Sequence, residues 1–311
     1  MAGGGGSRYF RPSTDPRQEA DKVRDRSDSQ KEGEFVVEVA AELNDLLGRF
    51  NNRDKELTQA RLDEILEKIS DLTENAISTL FGGSVARHTY VDGLSDIDCL
   101  LTLSATDAAE KGPKEFVADI AGRLKEVLPN CEIGVGRLAV TVTYPDSMSI
   151  QLLPAVKTED SIRIANSSGE KWSKINPQKF REALTKVNDT CGKKLVPTIK
   201  LVKSINDSFP EDLKLTGYHI ESMAINIFRN YSGDKNTKAM TEHFFDKAQS
   251  TILSKVRDRS GQSVHVDDYL GGNDSEKRVQ AGALLNRIHR RIKNANSRYS
   301  KEAWVKLITE D

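Results

Sequence analysis

From Phe35 to about Phe50, and again from Thr58 to Phe81, apolar residues return every third or fourth position. Leu62, Ile65, Leu66, Ile69, Leu72 and Ile77 mark the second stretch. That period lays one apolar stripe along a helix, so the spacing predicts two helices. The pattern then changes. Asp96–Leu103, Glu132–Val135, Ala139–Tyr144 and Ser149–Val156 are short, apolar or β-branched, and set off by turn residues such as Gly136 and Pro145-Asp146. These read as strands, with a helical stretch, Lys114–Leu128, between the first two. Past residue 176 strand signals fade, and Pro177–Val187, Val196–Asn206, Tyr218–Asn230, Thr241–Arg257 and Asp274–Ser297 read as helices. Strands interleaved with helices predict an α/β (α+β) fold, a mixed-sheet core followed by a helical domain. Turn residues in "NSSGEKWSKINP" put the boundary near 165–175. The expected organisation is a flexible segment over 1–33, a core over 34–170 and a helical domain over 171–311. The first segment opens MAGGGGS and holds almost nothing apolar, too little to bury.

Composition narrows the class. Charged residues make up 30% of the chain and apolar runs are short, so no bilayer-spanning segment and no secretory leader are expected. Cys99, Cys131 and Cys191 are odd in number and far apart, which suits a reducing, cytoplasmic setting without a disulfide framework. The five histidines show no zinc-ligand spacing. The net charge of −1 hides an asymmetry: residues 1–170 hold 20 Lys and Arg against 30 Asp and Glu, residues 171–311 hold 26 against 17. Such halves suit metal-binding acids facing phosphate-binding bases across a cleft, or two bodies that simply attract.

One stretch carries chemistry: "LFGGSVARHTYVDGLSDIDCLLTL", residues 80–103. In a strand, residues two apart face the same way, so Asp96 and Asp98 aim both carboxylates at one point. Carboxylates that close repel unless a cation lies between them, and Mg²⁺ is held by one or two carboxylates plus substrate phosphate oxygens. Gly83 lets the backbone approach a ligand, and Ser84 offers a hydroxyl and an amide at an expected helix start, a phosphate cradle. Either half alone is commonly a turn or a loop. Together they predict a magnesium-bound nucleoside triphosphate held by Gly83 and Ser84, with its metal on Asp96 and Asp98.

The run "GGSVARHTYVDGLSDIDCLL" resembles the signature of the DNA-polymerase-β-like nucleotidyltransferases, and in this expanded form is similar to that of the bacterial cGAS/DncV-like nucleotidyltransferases (CD-NTases). The resemblance covers roughly residues 58–300. It implies a polymerase-β-like core whose helical domain closes the nucleotide cleft. "PTIKLVKSIN" resembles the helix whose lysine contacts the triphosphate, which makes Lys203 that lysine and Lys200 its neighbouring candidate; the plain alternative is a solvated helix face. "LKLTGYHIESMAI" maps a base-stacking aromatic onto Tyr218, with a core aromatic as the alternative. "VHVDDYLGGN" resembles a segment near the nucleotide pocket and brings in Asp267; a turn explains it equally well. His88, inside the signature, is expected to order the loop. The basic run Arg287, Arg290, Arg291 and Lys293 suits a second nucleotide or nucleic acid, or a wet helix face.

One position departs from the family pattern. Where a third acid is expected, "SMSIQLLPAVK" supplies Gln151. In a two-metal site that acid holds the ion that activates the attacking hydroxyl. A glutamine carbonyl ligates Mg²⁺ without charge and cannot act as a base. Three explanations stand: a weaker ligand in a working enzyme, which the intact Asp96/Asp98 pair favours, a change made to trap a substrate complex, or binding without catalysis. The resemblance implies a Mg²⁺-dependent enzyme (Mn²⁺ being a possible substitute) joining nucleoside triphosphates, ATP among them, into a cyclic di- or oligonucleotide second messenger for an effector in anti-phage (CBASS) signalling. The alternatives are nucleotide addition to an RNA end or a protein, and a nucleotide-binding protein with weakened catalysis.

Overall fold

A computed structural model of the chain describes residues 16–50, 55–70, 78–81, 88–91, 97–103, 112–136, 138–158, 161–166, 168–257 and 266–309. Helices α1 (Pro16–Arg49) and α2 (Lys55–Ser70) come first, then strands β1 (Ser78–Phe81) and β2 (Ile97–Leu103). Helix α3 (Pro113–Val127) leads into β3 (Glu132–Val135), β4 (Val140–Thr143), β5 (Ser149–Lys157), β6 (Ile162–Ala165) and β7 (Trp172–Ile175). The rest is helical: α4 (Pro177–Thr190), α5 (Leu195–Asp207), α6 (Gly217–Phe228), α7 (Thr237–Thr251), a single 3₁₀ turn (Asp268–Leu270), α8 (Glu276–Ser297) and α9 (Lys301–Thr309).

The strands form one mixed sheet in the order β1-β2-β5-β4-β3, with β6 paired to the far end of β5 and β7 to β6. Only β2 and β5 run parallel among the described pairs. Helices α2 and α3 cover one face. Leu62, Ile65 and Ile69 from α2, and Phe116, Val117, Ile120 and Leu124 from α3, meet Cys99, Leu101, Val142, Ile150 and Leu152. The opposite face carries a smaller cluster of Leu100, Ala155, Ile164 and Ile175. Alternate residues of β2 and β5 thus go to opposite faces, as the pleat requires.

The four strands and the central helix predicted from 96 to 156 are present within a residue or two. Three elements differ. The helix expected over Thr58–Phe81 ends by Ser70, and Leu80 and Phe81 pair as strand with Leu100 and Cys99. A short apolar run reads alike as either element, and here the open edge of β2 decides it. Strands β6 and β7 pair as antiparallel neighbours: Asn166 Oδ1 accepts from the amides of Glu170 and Lys171 at 3.0 and 3.2 Å, and Gly169 adopts φ 76°. The sheet therefore continues to Ile175, and the helices start at Pro177, capped by Asn176, which accepts from the Lys179 amide at 3.0 Å.

The third difference is α1. It is already helical from Pro16, within the segment expected to be flexible; residues 1–15 lie outside the described residues. Its apolar positions Phe35, Val39, Leu43 and Leu46 share one face and pack into the helical cluster with Phe244, Leu285 and Trp304, not against the sheet. The chain opens by serving the body that closes it.

Candidate active site

The parallel register of β2 and β5 brings position 98 beside Gln151, and Thr141 of β4 flanks Gln151 on its other side. Gln151 is half-buried and belongs to the alternate set of Leu153 and Ala155, opposite Ile150 and Leu152. Asp98 enters the described structure as a strand position only. Gly83, Ser84 and Asp96 lie outside the described residues.

The signature reappears at residues 88–91. His88, exposed, takes a left-handed backbone with φ 59°, and Thr89 behind it is wholly buried. From the helical side come α5 and α6. Lys200 and Lys203, one turn apart on α5, are both nearly buried. The Lys203 ammonium donates to the Thr89 carbonyl at 3.0 Å and to Glu221 Oε1 on α6 at 2.8 Å. The Thr89 hydroxyl donates to the same Glu221 oxygen. Lysine and glutamate thus fasten Thr89 to two helices at a nearly buried point where Lys203 keeps a small exposed surface.

The first turn of α6 lies directly on this group. A Cβ on Gly217 would stand 3.2 Å from Cε and Nζ of Lys203, so any side chain there crowds the ammonium. Thr216 caps the helix, its hydroxyl accepting from the His219 amide at 3.2 Å. Tyr218, half-buried, tilts its ring against Phe180 with centroids 4.7 Å apart. The core and stacking readings both fit that position.

Asp267 is placed differently from a pocket residue. It is fully buried, and Oδ2 accepts from Arg278 Nη1 at 2.7 Å and from the Val256 amide at 3.0 Å. In this conformation it has no surface with which to meet a nucleotide. Arg278, also fully buried, spends its remaining donors on carbonyls of Ile252, Ser254, Asp267, Gly271 and Gly272. His219 Nε2 lies 3.7 Å from Asp267 Oδ2, and its Nδ1 faces the Tyr269 hydroxyl at 2.9 Å. Burial pushes His219 down to about 4, despite the pull of Asp267 in the other direction. Burial likewise pushes Tyr269 up to about 12. At neutral pH both rings are uncharged.

Thr89, Gly217 and Glu221 were not singled out by reading the sequence. A signal for Glu221 was present: an acid inside the apolar run "HIESMAI" is costly unless it finds a partner. The partner is 18 residues away on another helix, which no local pattern reveals.

Among the described residues, a mixed sheet with one parallel pair is followed by helices that bring Lys203 to Thr89. Residues 43–188 match the family model described as the Second Messenger Oligonucleotide or Dinucleotide Synthetase (SMODS) domain. That match spans a little under half of the chain, and over those residues the sequence is similar to the SMODS domain. Solved structures share the fold at low identity. Escherichia coli MS115-1 CdnC with ATP superposes with a TM-score of 0.65 at 14% identity, covering 89% of this chain and 97% of that one. Vibrio cholerae DncV, a cyclic AMP-GMP synthase and prokaryotic cGAS homolog, gives 0.57 at 12%, covering 96% and 92%. The STING-associated CdnE c-di-GMP synthase from Capnocytophaga granulosa gives 0.57 at 16%, covering 80% and 82%. No curated protein matches the sequence significantly.

Proposed function

We propose that this chain is a metal-dependent synthase that joins nucleoside triphosphates, ATP among them, into a cyclic di- or oligonucleotide second messenger and releases pyrophosphate. The observation that carries the reading is the junction of sheet and helices: position 98 stands beside Gln151, and Lys203 reaches the signature loop from the helical side. The family model and the nucleotide complexes of structural relatives support it.

The donor set suits a hard divalent ion. Two carboxylates one residue apart and an amide oxygen one strand away offer only oxygen, which Mg²⁺ prefers and Mn²⁺ accepts. Among the described residues no group of three His, Cys, Asp or Glu forms a competing metal centre. Asp96 and Asp98 would hold the metal, with Gln151 as an uncharged third donor; when bound, it neutralises triphosphate charge and lowers the cost of forming the attacking alkoxide.

The protein's own part is to position and to exclude water. Gly83 and Ser84 cradle the β- and γ-phosphates, and Lys203, with Lys200 one turn behind it, adds positive charge where negative charge gathers on the departing pyrophosphate. Tyr218 offers a face for a base. A hydroxyl of the acceptor ribose then attacks the α-phosphorus in line; its oxygen forms the new phosphodiester as the bond to pyrophosphate breaks, and the proton passes to solvent because Gln151 cannot take it. A second such step within one pocket closes the ring. The setting we propose is cytoplasmic anti-phage signalling, the product acting on a separate effector.

Incubation with all four nucleoside triphosphates and Mg²⁺ or Mn²⁺, followed by mass analysis, tests the reading. Cyclic products with pyrophosphate release are expected, and chelation by EDTA should abolish both. Extension of added RNA or protein alone would replace the reading with a transferase of another kind. Binding without pyrophosphate release would assign Gln151 to a nucleotide sensor.

A further inference from the structure

We infer that Glu221, together with Thr89, is the positioning socket for the triphosphate-binding lysine, and that it sets nucleotide affinity through Lys203 without touching nucleotide. This rests on the reading of Lys203 just given. Glu221 is 0% exposed and Lys203 6%, so their 2.8 Å contact is made where water does not compensate either charge. A lone buried carboxylate or ammonium is strongly disfavoured; each is tolerable because of the other.

The geometry goes beyond mutual neutralisation. An ammonium has three donors at tetrahedral angles. Two are taken, by Glu221 Oε1 at 2.8 Å and the Thr89 carbonyl at 3.0 Å; the Thr89 hydroxyl, at 3.5 Å, is a weak contact for the third. Two firm bonds fix the ammonium's orientation and leave one N–H that an incoming phosphate oxygen can claim from the threonine hydroxyl. That hydroxyl has a better use, since it donates to Glu221, so giving up the lysine leaves it satisfied. Gly217 borders the socket: a Cβ there would stand 3.2 Å from Nζ, tight enough that the ammonium would have to give way by a few tenths of an ångström. Lysine flexibility, which otherwise has to be frozen on binding, has been removed in advance by these contacts.

Thr89 belongs to the signature and Glu221 to α6, so the socket also ties residue 89 to the helical body. Losing the carboxylate charge should show mainly as weaker nucleotide binding, since the proposed chemistry still has Asp96 and Asp98.

The test is steady-state kinetics of pyrophosphate release with ATP and the other nucleoside triphosphates, beside equilibrium dialysis of a non-hydrolysable ATP analogue, on the full chain. Wild-type turnover is measured first; its absence defeats the functional reading and not the socket, which dialysis then tests by itself. Glu221→Gln keeps the shape and one acceptor. It is expected to raise KM and the analogue Kd by about tenfold, the scale of one charge-assisted hydrogen bond, with kcat within about threefold. Lys203→Met should do at least as much. The deciding measurement is the double variant Lys203→Met/Glu221→Gln, whose Kd should equal that of Lys203→Met alone, because a residue acting through the lysine has nothing left to act on. Additive losses in Kd, or a Glu221→Gln enzyme that loses kcat and keeps wild-type KM and Kd, would overturn the proposal. Glu221→Asp serves if the glutamine variant folds poorly, and wild-type KM and Kd in that shortened, displaced carboxylate would count against the socket equally.

Discussion

At the scale of single residues, two of the acids named from the sequence lead to different predictions. Asp98 lies on the central strand next to Gln151, and Asp98→Asn should cut turnover by roughly 10²- to 10³-fold or more while leaving the melting temperature nearly unchanged. Pyrophosphate release and a thermal melt on the same preparation check both halves. Asp267 is the reverse case. Its buried pair with Arg278 at 2.7 Å means that Arg278→Met strands a carboxylate, at a cost of about 3–5 kcal/mol, read by denaturant unfolding. His219 next to them adds a pH dependence. Its folded-state value is near 4 against the ordinary 6.5, so between those two pH values the unfolded chain takes up a proton that the folded one refuses. Stability therefore falls as the pH drops through that window, by about 3 kcal/mol in all. His219→Asn should flatten that slope in urea midpoints taken from pH 7 to 4; an unchanged slope would move its origin to other groups.

Whole elements show why some spacing was readable and some was not. Helix α3 carries its own period, with Phe116, Val117, Ile120, Ala121 and Leu124 as one buried stripe, and β4 and β5 alternate buried with less buried positions over most of their length. Strands β1, β6 and β7 have four residues each, as β3 and β4 do, so length does not set them apart; they form where a neighbouring strand offers hydrogen bonds. Helix α1 was visible from Phe35 onward, but its destination was not. Leu43 is fully buried in the helical cluster, so Leu43→Ala should cost about 2–5 kcal/mol and should destabilise the helical body rather than the sheet.

Across the whole molecule, the sheet and the helices have separate apolar clusters, and the two tryptophans report them one each: Trp172 packs against the first and Trp304 lies within the second. Single-tryptophan variants followed through urea unfolding are expected to give two midpoints, as bodies with their own cores need not melt together. Coincident curves would show instead that ties such as Lys203 to Thr89 make one cooperative unit. With two midpoints, Leu43→Ala should shift the Trp304 curve and leave the Trp172 curve in place; with one cooperative unit it would move both.

The sequence by itself determined that a mixed sheet precedes a helical body, that two acids stand one residue apart beyond a small-residue loop, and that a lysine pair follows on a helix. These are local facts, written in periods of two and 3.6 and in residue types whose chemistry holds anywhere. Tertiary structure alone decided that α1 serves the last helices, that Asp267 is consumed by Arg278, and that Lys203 is held by Glu221 and Thr89. Each of those depends on which distant side chain fills a buried space or answers a buried charge. Such partners are chosen by packing and by the expulsion of water, and neither leaves a repeat along the chain.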